Sequence, residues 1–195
     1  MSSVVNRFFW QWILSVLIIA IIVLLETRRW NAYPYGNRVS FMRVTATELM
    51  NYASRHDGWF PSGKDEYSGL AQLWPGSPCG PELAGLSGDI AAVTNALQVG
   101  RSLSNVTSWH YVPGLKNDDN PGLAILWESK FGLSEGGKRI PQMTRSVLLV
   151  DYRITNILDT AWPTFLKDQE QLWSISFIKH RDATRGSSVN PTGNQ

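Results

Sequence analysis

The side chains able to do chemistry are few and far apart. Nucleophilic catalysis needs a Ser or Cys, a His base and a carboxylate that converge, and the chain offers three histidines and one cysteine, Cys79. His56 lies in a His-Asp-Gly turn suited to ending a helix, His110 sits between Trp109 and Tyr111, and His180 stands where a polar stretch begins. None has a second His or a Cys at i+2 or i+4, which argues against zinc. A lone cysteine forms no intramolecular disulfide and no Cys-rich metal site. Gly136 and Gly137 run into Lys138 and Arg139 without the strand-to-helix frame of a phosphate loop. One acidic cluster, Asn117, Asp118, Asp119 and Asn120, carries oxygen donors of the kind calcium takes, with Asp118 and Asp119 as the candidate ligands; plain turns share this composition. Asn105, Val106 and Thr107 form a glycosylation sequon, relevant only where a host glycosylates exported proteins. The net charge is +2 with basic residues scattered, so a nucleic-acid footprint is not expected. Elimination leaves binding or assembly rather than enzyme catalysis, with no cofactor beyond the calcium candidate.

Phe8 to Leu25 is an apolar run broken only by Gln11 and Ser15. As a helix it would be about 27 Å long at roughly 1.5 Å per residue, close to the hydrocarbon thickness of a bilayer. The sequence therefore predicts a membrane as partner and a single-pass signal anchor over residues 1–30, with Phe8, Trp10, Trp12, Ile13, Leu17, Ile21 and Leu25 in the lipid. No small residues follow at cleavage positions. Positive charge at Arg28, Arg29, Arg38 and Arg43 would by itself hold the following domain in the cytoplasm.

Residues 31–178 then read as one domain, too short for two comfortable ones. Thr45 and Glu48 have capping-box spacing, Ala46, Leu49, Met50 and Ala53 recur along one helical face, and Gly58 and Pro61 stop that helix. Pro61 to Gly88 reads as a structured loop with one helical turn near Leu70. Asp89 is placed to cap a helix that ends at Gly100. Trp109–Val112 and Ala124–Trp127 predict short strands, and Ser146–Tyr152 has the apolar run of a central strand. Arg153–Leu158 extends it or returns beside it. A last helix begins at Asp159 or Thr160 with Pro163 in its first turn and buries Trp162, Phe165, Leu166, Gln169 and Leu172 or Trp173. Residues 179–195 predict a disordered polar tail. The class expected is α+β: a helix packed on a small antiparallel sheet, closed by a C-terminal helix.

Several segments, taken in order, resemble pseudopilin-type proteins of planctomycetes and verrucomicrobia, relatives of the major pseudopilin of type II secretion. The matching pieces are Tyr52-Ala53-Ser54-Arg55-His56-Asp57-Gly58-Trp59-Phe60-Pro61, then Tyr111-Val112-Pro113-Gly114-Leu115 followed by Asp118-Asp119-Asn120-Pro121, then Leu123–Trp127, and the strand end Val147–Arg153. The family's Asp-Gly-His strand end is Asp151-Tyr152-Arg153 here, and the His of the preceding glycine loop is missing. The prepilin cleavage site and its early glutamate are also missing. The resemblance implies a pilin-like ectodomain outside the cytoplasm, at the inner membrane, and a non-enzymatic subunit of a secretion or envelope assembly whose partners are other pseudopilin-like subunits. The alternative is an anchored extracytoplasmic module that binds glycans through Trp59, Trp74 or Trp109.

Overall fold

A computed structural model describes residues 12–25, 41–74, 80–133 and 139–187. The chain divides into two compact units, Met1–Arg38 and Val39–Gln195. In the first, residues 12–25 form helix α1. Among the described residues no helix is long and apolar enough to cross a membrane. The expected spanning helix is corrected accordingly, and with it the single-pass anchor and the inner-membrane location. Phe8 and Trp10 lie outside the described residues; Trp12, Ile13, Leu17, Ile21 and Leu25 lie on α1.

The second unit is α+β. Its helices are α2 (Phe41–Arg55), α3 (Glu66–Ala71), α4 (Ile90–Gln98) and α5 (Trp162–Ser187). The strands β1 (Trp109–Tyr111), β2 (Ala124–Glu128), β3 (Thr144–Leu149) and β4 (Ile154–Leu158) form one antiparallel sheet in the order β1-β2-β3-β4. Alternation along β3 decides the layering, because successive side chains point to opposite faces. Leu148 faces a large apolar cluster with Phe41, Met42 and Leu49 of α2, Leu83, and Val93 and Leu97 of α4. Val147 and Leu149 face a second cluster with Ala124 and Trp162, flanked by Phe165, Leu166 and Trp173 of α5. The sheet is thus covered on both faces, and among the described helices α5 covers the second of them.

Local signals place several boundaries. Asp89 accepts hydrogen bonds from Ala91 N–H (2.9 Å) and Ala92 N–H (3.1 Å), the expected cap of α4. Asp65 and Ser68 cap α3 reciprocally. Thr45 is not a cap: it is buried inside α2, its hydroxyl donating to Phe41 O (2.9 Å). The central strand stops at Leu149 rather than Tyr152, because residues 150–153 turn and Tyr152 N–H returns to Leu149 O. The last helix runs on to Ser187, well past the point where a tail was expected, and residues 188–195 lie outside the described set.

Two buried carboxylates are treated differently. Glu128 accepts Leu86 N–H (2.8 Å) and the hydroxyls of Ser87 (2.7 Å) and Ser108 (2.8 Å), so its charge is met by donors. Glu82, in the 3₁₀ turn Pro81–Ala84, is also buried, but its Oε2 has no hydrogen-bond partner among the described residues. Burial, reinforced by the Glu48 carboxylate, raises the Glu82 pKa. The folded state therefore holds this proton more tightly than the unfolded chain. Its contribution is favourable at low pH and is lost as pH rises through the raised value. We expect Glu82→Gln to be more stable than the parent at pH 7, with the difference closing below about pH 4, as measured by urea unfolding across pH.

Candidate functional site

The three histidines and the acidic turn are the residues that could do chemistry, and two of these features meet. α2 ends through two left-handed residues, Asp57 (φ 52°) and Gly58 (φ 84°). A Cβ at Gly58 would strike the side chain of Asn117, so glycine is needed for the close approach as well as the turn. Beyond it, segment 58–60 lies against 115–117: Asn117 N–H donates to Gly58 O (2.9 Å) and Phe60 N–H to Leu115 O (3.0 Å). This bridge carries Trp59 and the acidic turn to one corner. There Asp119, its side chain 1% exposed, accepts Lys116 N–H (2.8 Å). His180, from α5, places Nε2 2.8 and 3.0 Å from the two Asp119 oxygens. The imidazole also packs on Trp59, with ring centroids 4.6 Å apart. Lys179 Nζ lies 3.9 Å from Asp119 Oδ1, and Lys116 Nζ lies 5.8 Å from the Trp59 centroid.

An imidazole oriented by a carboxylate is half of a general-base pair. Here Nε2–H is donated to the carboxylate and the ring rests on an indole, which is the geometry of a clamp joining α5 to the turn. The two calcium candidates have different roles. Asp119 is buried under N–H donors, while Asp118 is exposed, with Lys116 Nζ 3.7 Å from its Oδ2. Calcium takes six to eight oxygen ligands, and an ion at Asp119 would have to displace His180. Among the described residues no group of three or more His, Cys, Asp or Glu is placed to hold a metal.

The other two histidines are apart from this corner. His56 stacks on Tyr52, centroids 3.9 Å apart. His110 Nδ1 lies 3.3 Å from Glu66 Oε2, and its ring stacks on Trp127 at 5.6 Å. Trp127 in turn stacks on Trp173 at 5.7 Å, and Arg145 is held between Phe131 and Trp162, 3.9 and 4.1 Å from their ring centroids. Burial lowers the Arg145 pKa. Of the three tryptophans considered for glycans, Trp109 is only 1% exposed and donates its indole N–H to Glu82 O (2.8 Å). Trp74 is half-buried, with Gly80 packed so closely that a Cβ there would meet its ring. Trp59 alone is open, at 37%. Asn105 of the sequon is exposed, but Thr107 gives its hydroxyl to Leu83 O (2.6 Å). Cys79 and residues 136–138 of the glycine loop lie outside the described residues.

His180 was assigned to a tail, yet the sequence held the signal that places it. The buried stripe Trp162, Leu166, Gln169, Trp173 continues at the same three-to-four spacing through buried Ser176 to His180. Lys116 and Tyr152 carried no such signal. Comparison with protein-family models, characterised proteins and solved structures returns no match. No finding supports the expected type II secretion assignment.

Replacing Asp119 by Ala would leave Lys116 N–H and the His180 ring without their acceptor in a buried place. We expect a loss of about 2–3 kcal/mol, against less than about 0.5 kcal/mol for Asp118→Ala at the exposed neighbour, both read from urea unfolding.

Proposed function

We propose that this protein is a non-enzymatic assembly subunit with a pseudopilin-like body, joining other subunits that carry similar apolar helices. One observation carries the reading. Helix α1 is apolar on every side, with Ser15 its only polar residue, and its large side chains range from 42% exposed at Ile13 to 74% at Trp12. A helix without a polar face is a buried element, and burying each such side chain contributes about 1.5–3 kcal/mol. Contact with other subunits would supply that burial. The body supports a binding role in a second way: its histidines and acidic turn hold elements together, as His180 holds Asp119, in place of converging on a reactive centre. The order of segments shared with pseudopilins agrees with such a subunit.

Sedimentation of the full chain in detergent-free buffer tests the proposal. We expect the parent to sediment at about twice the monomer mass or more. The double variant Leu17→Lys/Ile21→Lys should sediment as a monomer, its body stable to within about 0.5 kcal/mol of the parent. A parent chain that is a monodisperse monomer would overturn the assembly reading.

A further inference from the structure

The two edges of the sheet are finished differently. At β1, Ser129 N–H bonds to Ser108 O (2.8 Å) and Val112 N–H to Ile125 O (2.9 Å), so the alternation of the ladder turns the N–H groups of Trp109 and Tyr111 away from β2. Both find acceptors, the Thr107 hydroxyl at 3.1 Å and the Glu66 carboxylate of α3 at 3.3 Å. At β4, Leu149 N–H bonds to Arg153 O (2.9 Å) and Asp159 N–H to Met143 O (2.7 Å), so the N–H groups of Ile154, Asn156 and Leu158 point away from β3. Among the described residues those three N–H groups have no acceptor. A charge, a proline or a bulge commonly protects such an edge, and β4 has none. It reads Ile-Thr-Asn-Ile-Leu, its register with β3 is unbroken, and Leu158 is 54% exposed.

We propose that β4 pairs antiparallel with β4 of a second copy, centred on Asn156, so that two four-stranded sheets become one. The charges flanking the strand select this occupant and this register. Arg153 stands immediately before β4 and Asp159 immediately after it, both exposed. With Asn156 opposite its own counterpart, Ile154 lies across from Leu158, Thr155 from Ile157 and Arg153 from Asp159, and the twofold repeats each pair. Arg153 donates its Nε–H to Asp151, which leaves the terminal amino groups of the guanidinium for a further carboxylate. A parallel pairing would instead set arginine on arginine and aspartate on aspartate, which like-charge repulsion disfavours. An edge this short buries well under the ~1,200 Å² of an independently stable interface. The pairing therefore rests on the assembly proposed above: association through α1 raises the local concentration of the bodies, and β4 then orients them.

The test uses the full chain with Cys79→Ser, so that Asn156→Cys supplies its single cysteine. Opposed residues of a hydrogen-bonded antiparallel pair have Cα atoms about 5.5 Å apart, within disulfide reach. We expect mild oxidation to link Asn156→Cys chains about tenfold faster than Ser174→Cys chains, whose cysteine takes an exposed position on α5. Arg153→Asp or Asp159→Arg alone should slow the link about fivefold, and the two together should restore it, since these positions stand at opposite ends of one strand and meet only between copies. Hydrogen exchange needs no substitution at the edge: the Ile154, Asn156 and Leu158 amides should exchange about tenfold more slowly in the parent oligomer than in the Leu17→Lys/Ile21→Lys monomer. Sedimentation of the same samples separates the two readings. A parent that sediments as a monomer overturns the assembly reading and this pairing with it. An oligomer in which Asn156→Cys links no faster than Ser174→Cys, the double reversal restores nothing, or the edge amides exchange at the monomer's rate overturns the pairing alone.

Discussion

Strand β3 is apolar on both faces, and the rest of the body is arranged around that constraint. A strand ending Ser-Val-Leu-Leu, buried at all four positions, cannot lie on a surface or at the edge of a half-solvated sheet. It needs pairing on both sides, which β2 and β4 supply, and cover above and below. The α2 and α4 layer meets Leu148, and α5 meets Val147 and Leu149. Because one helix must cover a whole sheet face, α5 has to be long, and its inner stripe has to be aromatic: Trp162, Phe165 and Trp173 fill width that a second helix would otherwise occupy.

The same helix repairs a defect in the sheet. The register of β2 against β3 shifts between Ala124 and Leu126, a bulge that leaves the start of β2 short of ladder partners. Gln169 accepts Ala124 N–H (2.7 Å) and donates to Gly122 O (3.0 Å), while the Trp173 indole donates to Ala124 O (3.0 Å). Side chains of α5 thereby stand in for a missing strand. Buried amide and carbonyl groups left unpaired would each cost about 1–3 kcal/mol, so Gln169 and Trp173 fix the rotation of α5 about its axis more strictly than apolar packing could. That rotation then sends Ser176 inward and His180 toward Asp119. The clamp at the far end and the repair at the near end are consequences of one helix phase.

Much of this was legible in the residues, and the failures have physical causes. Periodicity found α2, α4, α5 and the strands because each is amphipathic or strongly apolar. Capping chemistry found the start of α4 because Asp89 acts locally. Gln169 appeared within the buried stripe, but its partner, an amide exposed by a bulge, is set by strand register, which local sequence does not encode. The Asp119–His180 pair spans sixty-one positions and joins a turn to a helix face, so neither residue alone announces it. Thr45 looked like a cap because hydroxyls favour caps, yet a helix interior tolerates Thr when its hydroxyl bonds back to the preceding turn, as it does to Phe41 O. The spanning-helix expectation rested on composition, and among the described residues no helix is long and apolar enough to cross a membrane.

The acidic turn shows what the fold adds to a cluster of oxygen donors. Asn117–Asn120 has the composition of a cation site, and an isolated reading weighs only its oxygens. The fold supplies N–H donors from two directions, the turn's own backbone at Lys116 and the imidazole of His180, and the ammonium of Lys179 adds a charge 3.9 Å away. A carboxylate so surrounded has its charge matched by the protein, and a metal would gain affinity only by breaking contacts that hold α5 in place. Glu128 follows the same logic with serine hydroxyls and the Leu86 N–H. Glu82 differs: its Oε2 finds no hydrogen-bond partner among the described residues, and burial raises its pKa. Within the body, then, the carboxylates of Asp119 and Glu128 join one element to another.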